Sequence, residues 1–333
     1  MDQGSNFRDG YDFRRFDARV EQQAARWRGM DVDTDFWKPY DKLSTEKDEW
    51  VTDGRNVCYI KTATGKIYKE KIVADIGYDL GFPVAPGCLW QPPGMTLSCA
   101  NETFLSLAPF SLNKKNTYCD YLDIINPIKT NDEEIRKALL RKRGFIENRL
   151  LLEASAANTA LWLFNLWIGD QAEHQFSQNI QLSIADMRNR GVRIASHDHA
   201  EANLRFFRPH SCNSELLGLF SGQHTRVPDE DGSTKWHAPI DRKALFVAIN
   251  RINAYPQAQL HSVVDRIPGT FLKAGKKKEI ARALCKSRLQ LTEWVRDQFG
   301  SSDEEAPKPA TSWGINQIAT WARRRALPLI SPS

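Results

Sequence analysis

Asp170, Asn179 and Asp198 follow one another across a short polar stretch of the chain. The stretch reads WIGDQAEHQFSQNIQL, then a polar connector, then VRIASHDHAEAN. A long apolar helix ends at Gly169-Asp170, and a polar loop with Glu173 and His174 follows. Asn179 opens a strand, and a second strand is expected to end at His197-Asp198-His199. An acid, an amide and a second acid in that order suit phosphoryl transfer. One acid handles the proton of the nucleophile, while the amide and the other acid hold metal ions on nucleotide phosphates.

A phosphate-binding partner for these groups lies upstream. Lys61 ends a strand-like run, NVCYIK, with apolar neighbours at Val57 and Tyr59, and Glu70 falls in the first turn of the next helix. A strand lysine paired with a helix glutamate is how a protein-kinase-like small lobe contacts nucleotide phosphates. Lys66, Lys69 and Lys71 compete with Lys61 for that part.

The elements that must position these residues can be read from periodicity. Trp50-Val51, a Thr-Asp-Gly turn and Asn56–Lys61 form a hairpin turning at Asp53-Gly54. In IYKEKIVADIGYDLG the apolar residues Ile72, Ile76 and Leu80 share a helical face, and Gly81 stops the helix before Pro83. Strands follow at 84–90 and 103–107. From Asn131 the chain turns helical up to Ile168, in two pieces with a break near Gly144, and Asp132, Glu133 and Glu134 suit the dipole at its start. Helices recur at 241–253, 258–266 and 276–299. The expected organisation is a peripheral N-terminal extension at 1–45 and a β-rich, nucleotide-binding lobe at 46–110. A helical lobe at 111–299 carries the catalytic loop and the metal-binding strand pair. A linker and short tail helix fill 300–333. This is an α+β chain of two lobes with a cleft between them.

Composition excludes several classes. Over 333 residues, 41% are hydrophobic and 26% charged, ordinary for a soluble globular protein. No apolar run approaches the roughly 18 residues needed to span a bilayer. The opening MDQGSNFRDGYDFRRFD is polar and mixed in charge, so no secretory signal is read there, and a cytoplasmic location is the default expectation. The six cysteines are scattered without metal-ligand spacing and read as reduced thiols. A net charge of +5 is mild, and its clusters fall on helices. No nucleic-acid-binding signature accompanies them, so nucleic acid ranks last among the partners. No Gly-x-Ser-x-Gly elbow, P-loop or dinucleotide fingerprint is present.

Taken in order, the motifs resemble the HipA-like kinases, relatives in fold of protein kinases and phosphoinositide kinases. YIKTATGKIYKEKIVADIGYDLGFPVAPGCLW is similar to their small lobe, with Leu80-Gly81-Phe82-Pro83-Val84-Ala85-Pro86 in place of a characteristic turn. Trp167-Ile168-Gly169-Asp170, with His174 and Asn179 beyond, resembles their catalytic loop. His197-Asp198-His199 stands where their metal-binding aspartate lies. Asp265-Arg266-Ile267-Pro268 and EIARALCKSRLQLTEWV resemble their helical end. The resemblance spans about Gly54 to Asp297. It implies a two-lobed, protein-kinase-like fold and an ATP- and magnesium-dependent phosphotransferase. Lys61 would contact the phosphates and Glu70 would orient it. Asp170 would accept the proton of a hydroxyl on a protein or small molecule, while Asn179 and Asp198 would hold magnesium.

One departure bears on activity. In the protein-kinase pattern the catalytic Asp and the metal-binding Asn are five residues apart, whereas Asp170 and Asn179 are nine apart. Ala172 stands where the HipA-like pattern would place its aspartate. Three alternatives follow: the loop carries an insertion and Asp170 acts, Glu173 or His174 substitutes, or turnover is lost and the chain is a scaffold that binds nucleotide or a protein partner. The turn Thr52–Asn56 carries one glycine, a poor phosphate cradle. A metal-dependent hydrolase built on His174, His197 and His199 lacks further ligands at fixed spacing. The phosphoacceptor and any regulatory protein partner are not written in the motifs.

Overall fold

The structure is a computed structural model. It describes residues 11–40, 49–62, 65–95, 103–109, 118–120, 155–170, 180–183, 193–205, 207, 226–228, 234–236 and 241–300. Residues Met1–Trp294 make one compact unit and Val295–Ser333 a second. In chain order the elements are α1 (Ala18–Arg28), β1 (Lys38–Pro39), β2 (Trp50–Thr52), β3 (Val57–Thr62), α2 (Ile67–Leu80), β4 (Gly87–Leu89) and β5 (Thr103–Leu107). There follow β6 (Tyr118–Asp120), α3 (Ser155–Ile168), β7 (Ile180–Ser183), β8 (Arg193–Ser196), β9 (Arg226–Pro228), β10 (Thr234–Trp236), α4 (Arg242–Ala254), α5 (Gln257–Asp265) and α6 (Ala274–Phe299). The α+β class expected from sequence is the one found.

The first sheet runs β1-β2-β3-β5-β4, antiparallel throughout. Its hairpin turns at Asp53-Gly54 as expected, with Gly54 at φ 93°. β5 spans the residues expected, and β4 is the central part of the run expected at 84–90. A second sheet, β6-β7-β8, carries the strand pair of the candidate site. Of the long helical run expected between Asn131 and Ile168, Ser155–Ile168 is described and is helical. The break near Gly144 and the tail beyond residue 300 lie outside the described residues. No described helix is long and apolar enough to cross a membrane.

Residues 11–40, part of the extension expected at 1–45, contribute to the core beneath the first sheet. Val20, Trp27 and Trp37 join Val51, Cys58, Cys88, Trp90, Leu105 and Leu107 in one core cluster under the sheet. The buried Asp33 carboxylate accepts both indole N–H groups, at 2.7 Å from Trp27 and 3.3 Å from Trp37. Its backbone extends the pairing beside β4, donating to Leu89 O at 2.7 Å and accepting from Gln91 N at 2.9 Å. Helical periodicity alone hid this, because the apolar face of α1 looks the same whether it docks on a sheet or caps an edge.

Helix α2 carries Glu70 and is fixed from several sides. Gly81 closes it in the left-handed conformation, φ 67°. The buried Lys71 ammonium donates to Trp27 O at 2.8 Å and Asp75 at 2.7 Å, and Arg266 reaches the same carboxylate at 3.1 Å. Burial pushes Asp75 up to about 6, against the pull of Lys71 and Arg28. Arg28 grips Asp79 through both Nε and Nη2 at 2.6 Å, and Tyr255 Oη donates to Asp79 at 2.5 Å. Removing one partner from such a buried set costs more than the set contributes, because a charge is left unpaired.

Gly77 sets how close α2 comes to the following turn. A Cβ there would sit 2.7 Å from both Cβ and Cγ2 of Val84. Gly77→Ala is therefore expected to destabilise. Overpacking of about 1–3 kcal/mol outweighs the gain of about 1 kcal/mol from helix propensity. Urea unfolding would show a lower midpoint at unchanged slope, and an increased midpoint would contradict the contact.

Candidate functional site

Lys61 lies on β3, paired in register with Phe104 of β5, and its side chain runs toward the start of α2. Its Nζ donates to Glu70 Oε1 at 2.9 Å. Glu70 occupies the first turn of the helix, where a carboxylate complements the dipole. Two of the three competing lysines are engaged elsewhere, Lys71 inside the α1–α2 contact and Lys66 with Glu201. The same Lys61 Nζ reaches Asp198 Oδ1 at 3.3 Å, across 137 residues of chain. The Lys61 and Glu70 side chains are 11% and 4% exposed, whereas that of Asp198 is 52% exposed. The lysine thus joins a buried orienting acid to an open one.

Two backbone hydrogen bonds bring Asp198 to this position. Ser196 N donates to Pro83 O at 2.8 Å, and Ala85 N donates to Ser196 O at 2.7 Å. They form a parallel bridge between Val84, just beyond α2, and the last residue of β8. The second strand therefore ends at Ser196 and not, as expected, at His197-Asp198-His199. Asp198 itself takes the left-handed conformation, φ 65°. Such a backbone costs of order 1–3 kcal/mol for most residues but is tolerated best by Asn and Asp. His197 and His199 therefore do not continue the strand.

The left-handed turn directs His199 away from Asp198 and toward Asp170. His199 Nδ1 lies 2.8 Å from Asp170 Oδ2, and Nε2 lies 2.9 Å from Ser196 Oγ. An ionised carboxylate only accepts, so Nδ1 carries the proton, and in the neutral ring Nε2 accepts from the Ser196 hydroxyl. The order Ser, His, Asp is that of an acyl-transfer triad. Here Ser196 is 2% exposed and tied by its own backbone, so no substrate carbonyl can reach it. Asp170 is held from behind as well. The end of α3 closes with Gly169 at φ 68°, Asp170 N donating to Asn165 O and Gly169 N to Leu166 O. Asn203 N and Leu204 N then donate to Gly169 O and Ile168 O. Sequence reading missed the parts of Ser196 and His199, because Asp170 and His199 are 29 residues apart and no local spacing announces their contact.

Of the expected catalytic and metal residues, Lys61, Glu70 and Asp198 meet in one cluster, and Asp170 lies next to it in a buried contact. Its side chain is 2% exposed. His174 and Asn179, with Glu173, lie outside the described residues. The β2–β3 turn binds its own backbone. Gly54 N donates to Thr52 Oγ1, and Arg55 N and Asn56 N donate to Asp53 Oδ1 at 2.7 and 2.6 Å. Those N–H groups are spent, so this turn is no phosphate cradle. Cys58 and Cys88 are free, buried thiols whose pKa values burial raises, that of Cys88 to about 12, which leaves them inert.

Burial pushes the Asp198 carboxyl upward, but the Lys61 ammonium, with a contribution from His197, outweighs it and holds the group below its ordinary value. An ionised, half-exposed carboxylate is a hard oxygen donor suited to magnesium, which keeps most of its waters and needs few protein ligands. No cluster of three or more His, Cys, Asp or Glu that could hold a metal occurs among the described residues. The arrangement fits a metal held jointly with a ligand's own oxygens better than a closed protein cage.

Two outcomes follow. A carboxylate with a depressed folded pKa contributes stability above its unfolded pKa, which is lost as pH falls through the folded value. Asp198→Asn should therefore lower Tm relative to wild type by a constant amount at neutral pH, and the difference should close below about pH 4. A gap that widens on acidification would reverse the sign. His199→Ala removes the hydrogen bonds of His199 to the buried Asp170 and Ser196, and is expected to cost about 2–4 kcal/mol in urea unfolding. A loss within error would make the contact incidental.

No family model matches the chain, the HipA-like kinases included, and no curated protein matches it. Among solved structures it is similar to the crystal structure of a Helicobacter pylori proinflammatory kinase, CtkA. The identity is 14%, the match covers 80% of this chain and 97% of that one, and the TM-score is 0.49. A likeness of that size says nothing of which side chains act.

Proposed function

We propose that this protein binds a nucleoside triphosphate, with ATP the expected one, together with magnesium at Lys61, Glu70 and Asp198, and that it transfers the terminal phosphoryl group to a hydroxyl. The observation that supports this reading is the position of Lys61, shared between a glutamate on α2 and an aspartate that follows β8. A lysine placed to hold phosphates, a glutamate that orients it and an acid that holds metal are the parts this chemistry requires. Lys61 binds phosphate oxygens as a point charge, and Glu70 fixes its direction. Asp198, with Asn179, would hold the ion, which when bound neutralises charge on the phosphates. The acceptor is a hydroxyl of a protein or small molecule.

Proton acceptance is the step for which two readings compete. Asp170 is the acid that the sequence order puts first, but its carboxylate is occupied by His199. That contact favours a second reading, a scaffold that binds nucleotide without turnover. The two separate cleanly in experiment. ATP with magnesium should raise the Tm of the wild type, since ligand at a hundred times Kd contributes about 2.7 kcal/mol. Lys61→Ala and Asp198→Ala should each abolish the shift. ADP release that Asp170→Asn lowers by about 100-fold or more supports turnover with Asp170 as base, within the range for general-base loss. A Tm shift without ADP release supports the scaffold, and no shift at all rejects the nucleotide site.

A further inference from the structure

A cavity of about 600 Å³ lies between the N-terminal turn of α2, the 203–205 segment and α6. Neither Lys61, Glu70 nor Asp198 is among its described lining residues. Its polar lining is cationic: Lys66, Lys69, Arg205 and Lys276 face a single carboxylate, Glu279. Two of the cations are already matched, Lys66 by Glu201 and Lys276 by Glu279 at 2.7 Å. Lys69 and Arg205 form no side-chain hydrogen bond or ion pair with any described residue. Burial, with repulsion from Lys66 and Arg205, lowers the Lys69 pKa despite Glu201. Among the described residues, the cavity carries more positive than negative charge.

The walls limit the anion further. Tyr68, partly exposed, lines the cavity beside the charges, together with Leu204 and Ile280, which are buried. The volume falls in the range of small-molecule sites and far exceeds a bare inorganic anion. The α2 start adds its dipole, with no side-chain cap at Lys66. Lysine and arginine on separate elements suit the three oxygens of a phosphate monoester, arginine through its planar fork.

We propose that this cavity binds a small organic phosphate monoester, its phosphate between Lys69 and Arg205 and its apolar body against Tyr68. Bound there, it bridges α2, one residue from Glu70, to the segment that follows Asp198. The site does not depend on the nucleotide reading, since none of its cations belongs to the Lys61 cluster.

The test is calorimetric titration of the full chain with phenyl phosphate at constant ionic strength, with inorganic phosphate and a short phosphotyrosine peptide run beside it. Saturable binding of phenyl phosphate is expected, tighter than that of inorganic phosphate. Lys69→Met and Arg205→Gln should each weaken it by about tenfold or more, since charge-assisted hydrogen bonds are the strong ones. Lys61→Ala should leave it intact. Both lining residues are at least partly exposed, so the variants should fold, and unchanged circular dichroism would verify that. Absent saturation, equal binding by the variants, or loss in Lys61→Ala alone would overturn the site. Tighter binding of the peptide than of phenyl phosphate would overturn the small-molecule assignment.

Discussion

The pair of hydrogen bonds between Ser196 and the Pro83–Ala85 turn is the constraint on which the candidate site depends. Everything upstream of that bridge sets the height of α2, and everything downstream sets the direction of Asp198. Because Ser196 is also the hydroxyl partner of His199, one residue fixes the strand end through its backbone and the Asp170 contact through its side chain. A shift of the bridge by one residue would move the turn at 197–199 relative to α2. Asp198 would then lose Lys61 and His199 would lose Asp170 together.

The second source of order is charge buried in the body of the protein. Lys71, Asp75 and Arg266 on one side, with Arg28, Asp79 and Tyr255 on the other, hold α2 between α1 and the later helices. Buried ions stabilise poorly in comparison with apolar residues of the same volume, but they tolerate few alternative arrangements. Glu70 inherits that intolerance. Its carboxylate meets Lys61 because the helix that carries it has been fixed one and two turns further along.

Much of this could be read from the residues in advance. The β2–β3 hairpin, the extent of α2 and its glycine stop follow from turn chemistry and from a 3.6-residue period, both local signals. The meeting of Lys61 with Glu70 was legible too, since nine residues separate a strand end from a first helical turn. Three things were not legible. The docking of residues 11–40 depends on which surface their apolar face meets. The left-handed Asp198 depends on a bridge to a turn more than 100 residues away. The Asp170–His199 contact depends on both. Pattern reasoning sees element type and misses the long-range contact that overrides it. That is why His197 to His199 read as strand when the backbone there turns.

The segment at residues 11–17 has a consequence for how this chain is made. Arg193 reaches back to Asp17 at 2.8 Å and to Arg15 O at 3.2 Å. Arg251 donates to Tyr11 O, to Leu80 O at 3.2 Å, and stacks over Phe13 at 4.7 Å. The Tyr11 contact closes a loop of 240 residues. Contacts of such separation form late, since their entropy must be met before they return any energy. During synthesis the first sheet can pair as soon as Leu107 has emerged, yet the strand of chain that lies across it waits for α4. Until then Phe13, packed on Phe82, lacks the cover of Arg251, and the interval between β5 and Arg251 leaves that apolar surface open to other molecules.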